Sequence, residues 1–232
     1  MPTGIFTNAW TSQSAEILFR GATAPDPTKF RLCLANTATL TRSNLLADFL
    51  ASELLPINGY ARVSASIADG SYNSTTQRYE LPTISAAFSA TGGALQFQTP
   101  FLMANSAAVC SQSFTNANVN PTADRITITG HGFDNGDNLI FTAAALATLP
   151  TGIVANTIYQ VANITTNDFQ LQSGGTLITI ADTGSGTFYA RNANGIIVAY
   201  AVESSPITVA AGQGYSYQIP LVLLNSGYVN GS

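Results

Sequence analysis

From Gly59 onward the chain is written as short strands and turns. Stretches such as "YARVSASI", "RYELPTISAAFSA" and "ALQFQTPFLMA" alternate apolar and polar residues, and each is bounded by Gly, Asn or Ser. The same style returns in "GIIVAYAVE" and "ITVAAGQGYSYQIPLVLLN". A chain patterned this way can bury itself only by stacking or closing sheets, so a mainly β fold, a β-sandwich, is expected. At 232 residues it is large enough for a full hydrophobic core.

Only the N-terminal part departs from this pattern. "TSQSAEILFRG" and "SNLLADFLASELL", Ser43 to Leu55, read as short helices. In the second, Leu45, Leu46, Phe49, Leu50 and Leu54 follow the helical period, Ser43 is placed to cap the start, and Pro56 lies beyond the end. Between them "KFRLCLA", Lys29 to Ala35, alternates over a strand length and is the expected first core strand.

Asn120 to Arg191 differ in character, with short Thr/Ile-rich strands such as "RITITG", "NLIFTA", "TIYQVANI", "DFQLQS", "TLITIA" and "TFYARN". This reads as a small inserted β-barrel or sandwich, residues 120–191. Residues 1–119 and 192–232 then form a discontinuous β-sandwich host domain. The polar stretches "SQSFTNANVNPTA" and "RNANG" are the expected linkers.

Charge narrows the possible partners. Charged residues are 9% of the chain and the net charge is -4, with Lys29 the only lysine, so no basic face is available for nucleic acid. A hydrophobic content of 46% argues for a packed chain rather than a disordered one. No export signal and no membrane span is expected. Cys33 and Cys110 lack C-x-x-C spacing and read as small buried hydrophobes, with a single disulfide as the alternative.

"GHGFDNGDNLIF", Gly130 to Phe141, holds the only histidine, His131, beside Asp134, Asn135, Asp137 and Asn138. Zinc needs more Cys and His ligands than the chain can gather. The spacing does not match a calcium loop, and no G-x-S-x-G context accompanies the histidine. The stretch therefore reads as a turn, with Phe133 tucked beneath it, in which His131 and Asp134 are replaceable by Ala without loss of the fold. Tyr200, Tyr215 and Tyr217 read as sheet residues rather than a sugar platform, and Glu80 and Glu203 show no sign of converging as a glycosidase pair. No catalytic, cofactor-binding or metal-ligating residue is expected, and no cofactor.

Two parts of the chain carry a resemblance. The run "ITITGHGFDNGDNLIF…LPTGIVANTIYQVANITTNDFQLQSGGT…GSGTF" resembles a small β-domain of tailed-bacteriophage virion proteins, with its G-H-G-F-x-x-G-D turn, L-P-x-G-I-x-x-N-T-x-Y-x-V segment and F-x-L strand. The rest, through "LFRG…P…FRLCLA", "NGYARVSASI" and "PITVAAGQGYSYQIPLVLLN", is similar to phage virion proteins, cyanophage ones included, of tail-fibre-like or decoration type. The resemblance implies a non-enzymatic virion protein assembled in the host cytoplasm. Its expected role is that of a capsid decoration (cement) protein, a homotrimer bound to the major capsid protein or other virion proteins. The alternatives are a tail-fibre or baseplate component and, from another class, a virion-associated carbohydrate hydrolase.

Overall fold

A computed structural model describes residues 4–65, 67, 70–75, 78–80, 84–104, 111–219 and 222–223. The fold is mainly β, with antiparallel sheets and, among the described residues, two α-helices, α1 (Asn8–Arg20) and α2 (Leu46–Ser52). The central sheet has five strands in the order Ile5–Phe6, Ile196–Tyr200, Thr99–Ala104, Arg31–Ala35 and Val63–Ser64. Its middle strands are buried on both faces, so they read as near-continuous apolar runs.

Leu32, Leu34, Leu102, Ala104 and Val198 on one face of this sheet pack against Ile84, Phe88, Leu95, Phe97, Val209 and Tyr217 from two further strand pairs, forming a sandwich. On the opposite face Cys33, Phe101, Met103 and Ile197 meet Phe49 and Leu50 of α2. Cys33 is thus an interior residue, and Cys110 lies outside the described residues.

A second sheet runs Val119–Asn120, Arg125–Thr127, Asp168–Ser173, Ile158–Ala162, Asn138–Ala143, Thr187–Asn192 and Ser111–Thr115, with Thr176–Leu177 paired to Asp168–Ser173. Its two terminal strands are consecutive in the chain, joined only by the 3-10 turn Asn116–Asn118. Laid flat, seven strands would hold those edges about 29 Å apart. The link from Thr115 to Val119 reaches at most about 14 Å. The sheet must therefore curl, and it does so around Phe114, Ile126, Phe133, Leu139, Phe141, Tyr159, Val161, Phe169, Leu171 and Phe188.

One ribbon links these parts. The described strands between Tyr79 and Thr115 pair antiparallel with those between Thr187 and Leu223 in nearly constant register, from Tyr79 with Leu223, through Ile84 with Ile219, Leu95 with Val209, Phe101 with Tyr200 and Ser111 with Arg191, to Thr115 with Thr187. The ribbon changes sheets as it goes. "ALQFQTPFLMA" is accordingly two strands, Leu95–Phe97 and Thr99–Ala104, in different sheets.

Local chemistry corrects several expectations. Ser111–Thr115, expected as linker, is a strand: Phe114 enters the curled core and supplies burial that the polar letters around it hide. Ser43 does not cap α2. The helix begins after Leu45, whose N–H donates to the Asp48 carboxylate at 2.8 Å, while Ser43 Oγ lies 3.1 Å from Thr41 Oγ1. Among the described residues of "YARVSASI" only Val63–Ser64 form a strand, because Tyr60 and Arg62 turn inward toward Glu53. The first helix starts earlier than its apolar cluster suggests, at a Thr7 hydroxyl that accepts from Trp10 N–H, and ends at Gly21 with φ 71°.

Candidate functional site, the histidine turn and a buried ionic junction

The His131 loop is built entirely from internal bonds. Gly130 and Gly132 take φ of 62° and 68°, which carries the chain around the bend and drives His131 inward. His131 is 2% exposed. Its Nδ1 accepts from Phe133 N–H at 3.0 Å, which leaves Nε2 to donate to the Thr165 carbonyl at 3.1 Å. The ring stacks on Phe133 and meets Phe169 edge-on.

The acids close the turn. Asp137 accepts from Asp134 N–H at 3.0 Å and from Asn194 Nδ2 at 2.6 Å, and Asn135 accepts from Ile164 N–H. The stretch is the turn that the glycines and acids suggest. What the sequence reading missed is the depth of His131, whose two satisfied nitrogens and two aromatic neighbours make replacement by Ala costly. Among the described residues no three His, Cys, Asp or Glu side chains gather as a metal site.

Two of the three candidate tyrosines are buried, Tyr200 and Tyr217, and Tyr215 is partly buried. Tyr217 donates to Glu203 at 2.6 Å, and burial followed by that carboxylate pushes its hydroxyl well above the usual tyrosine range. Glu80 lies in the strand Arg78–Glu80, and its side chain is not among the described ones.

The densest chemistry lies elsewhere, where α2 meets the outer face of the curled sheet. Glu53 follows the last turn of α2, and its backbone is fixed beside the central sheet by a bridge to Ala35 and by Leu54 N–H donating to Leu34 O. Its carboxylate points inward. Oε1 accepts from Tyr60 OH at 2.7 Å and Arg62 Nε at 2.8 Å, and Oε2 accepts from Arg62 Nη2 at 2.8 Å. Arg62 Nη1 donates to Asn192 O, and Leu34 N–H donates to the Tyr60 hydroxyl.

Arg191 enters from the curled sheet. Its Nη1 donates to the Leu50 and Glu53 carbonyls at 3.1 and 2.7 Å and stands 3.6 Å from Glu53 Oε2. All three charged side chains are almost wholly buried. Burial alone would raise the Glu53 pKa, but the Arg62 charge and hydrogen bonds, with Arg191 behind them, hold it below the usual carboxylate range. Burial also pulls Arg62 downward, yet Glu53 outweighs it and raises that guanidinium. Arg191 goes the other way: burial lowers it more than Glu53 restores. Glu53 therefore serves Arg62 first.

Sequence reading missed this junction, since Arg191 stands 138 residues from Glu53 and nothing in the local pattern marks Glu53 and Arg62, nine residues apart, as interior. Chemically it positions two sheets and one helix, its charged groups spent on one another and on backbone carbonyls. Comparison with protein-family models, with curated proteins and with solved structures gives no match to this chain.

Proposed function

We propose that the protein is a structural component of a tailed-bacteriophage virion, and specifically a decoration (cement) protein bound as a homotrimer to the outside of the capsid lattice. The observation that carries this reading is the G-H-G-F-x-x-G-D turn. Its histidine and phenylalanine form part of the curled core, and its second acid pins the turn to Asn194. Every residue type in the motif is thus used for folding, as expected of a module reused as a scaffold in virion proteins. Low charge supports the same role, because lattice contacts made of apolar and hydrogen-bonded surface depend weakly on salt. In this reading α1, with Leu18 and Phe19 exposed, faces the lattice and the curled sheet faces outward.

Leu146 and Val154, exposed at loop ends of the curled sheet, favour a second reading as a tail component that touches the host surface. Quantifying the protein in purified particles separates the two. A copy number that scales with the major capsid protein, and particles that lose heat resistance on stripping while still adsorbing, would support the cement role. A handful of copies per particle, with adsorption lost on removal, would place the protein in the tail.

A further inference from the structure

The end of the curled sheet away from the His131 turn exposes apolar side chains in a setting almost without charge. Strand register fixes which end this is. Asn138–Ala143 and Asp168–Ser173 finish there and Ile158–Ala162 begins there, whereas the turn ties to the far end through Gly136 N–H and Val161 O. Leu146, on the connection that follows Ala143, is fully exposed and Val154 is 61% exposed. Leu177 and Ile158, on the outward rows of their strands, are 46% and 38% exposed.

Leu146 is held out at a conformational cost. It occupies the third position of a turn closed by Ala147 N–H donating to Ala144 O at 3.0 Å, and its φ is 66°. That position favours Gly or Asn, and a leucine is strained there. Residues 144–158 include no charged side chain, and the one acid of residues 174–186, Asp182, is spent on the Thr151 and Gly184 N–H groups and the Thr151 hydroxyl.

We propose that this end of the curled sheet is the surface through which copies of the chain meet, with Leu146, Val154, Ile158 and Leu177 of three protomers closing around the axis of the homotrimer. The number three rests on the cement reading. Charge selects a second copy as the occupant: the chain has a net charge of -4, so its copies repel, and they approach with least penalty where each presents a neutral apolar end to the same end of its neighbours. An anionic lipid surface would ask for bases, and residues 144–158 and 174–186 hold none. Leu18 and Phe19 of α1, by contrast, stand beside the exposed Glu16–Arg20 pair. Area agrees. Such side chains hide roughly 60–120 Å² of apolar surface apiece when fully covered, so the four at their exposures offer roughly 150–300 Å². One side of a standard interface is roughly 800 Å², a little over half of it apolar, so the patch is the apolar centre of a contact that joins copies reversibly.

Sedimentation of the purified full chain over a range of concentrations tests this. The native chain should pass from monomer to trimer as its concentration rises, with little dependence on salt. Leu146→Gly combined with Val154→Ser should move that transition about tenfold or more toward higher concentration. The variant's monomer should melt no lower than the native one, since glycine takes the turn without strain. A native chain that stays monomeric throughout, or a variant that assembles as the native chain does, would overturn the proposal. So would a monomeric native chain that floats with phosphatidylcholine vesicles and loses this in the variant, which would make the end a lipid-docking surface. A dimer weakened by the same variant would keep the surface and overturn the threefold. Copy number in particles is measured independently, so a cement protein that assembles through another face and a chain absent from particles give different pairs of results.

Discussion

The His131 turn and the Glu53 junction are both buried polar clusters, but they are built oppositely. The turn is centred on one contiguous run, satisfies both ring nitrogens of His131, and ties that run to Thr165, Phe169 and Asn194. The junction joins Glu53, Tyr60 and Arg62, which are close in the chain, to Arg191, 138 residues from Glu53; it is charged and leaves Arg191 Nε unpartnered. The contrast teaches that a conspicuous run of Gly, His and Asp can be spent on architecture. Arg191, which ties the curled sheet to α2, stands alone in the sequence.

Breaking the junction should have the larger effect. Glu53→Gln leaves two buried guanidiniums without their carboxylate and should cost about 3–5 kcal/mol in urea denaturation. The same carboxylate makes stability acid-sensitive. Its folded pKa is depressed, so its contribution is complete above the ordinary carboxylate range and is lost as the pH falls below about 4. The Gln variant should lose that part of the acid dependence. A native-like melting curve for Glu53→Gln would show that the junction is solvated rather than buried.

At the turn, His131→Ala removes a packed ring and two hydrogen bonds and should cost about 1–3 kcal/mol in the same assay, with the far-ultraviolet spectrum unchanged. Asp137→Ala, which loses the bonds to Asp134 N–H and Asn194, should cost about 1–2 kcal/mol. Smallest of all is the effect of chelation. EDTA should leave Tm unmoved, and a drop of many degrees would make the turn a calcium site and erase the contrast.

Much of the fold was legible because periodicity is local. Leu46, Phe49 and Leu50 announce α2, and alternation announces Ile84–Ser89 and Asp168–Ser173. Ser111–Thr115 was hidden because a strand with one core residue, Phe114, among polar letters looks like linker. Arg191 was hidden by the same alternation that revealed its strand. It falls on the outward row of "TFYARN", where an arginine ordinarily meets water, and only α2 packed over that row makes it interior. Arg62 left a fainter trace, a charge two residues after Tyr60, with both side chains reaching the same carboxylate.

The two-stranded ribbon sets an order of events as well as a shape. Pairing Ile84 with Ile219 from an open chain means closing a loop of well over a hundred residues, and every doubling of a loop adds about 0.6 kcal/mol of entropy cost. If Thr115 and Thr187 are joined first, at the end nearest the curled sheet, each following pair closes only a few residues. The ribbon then zips outward toward Tyr79 and Leu223, turning the slowest contacts of the chain into a series of short steps. Pulse-labelled hydrogen exchange during refolding should accordingly find the amides of Phe114 and Phe188 protected before those of Ile84–Ser89, and the reverse order would refute the zipper.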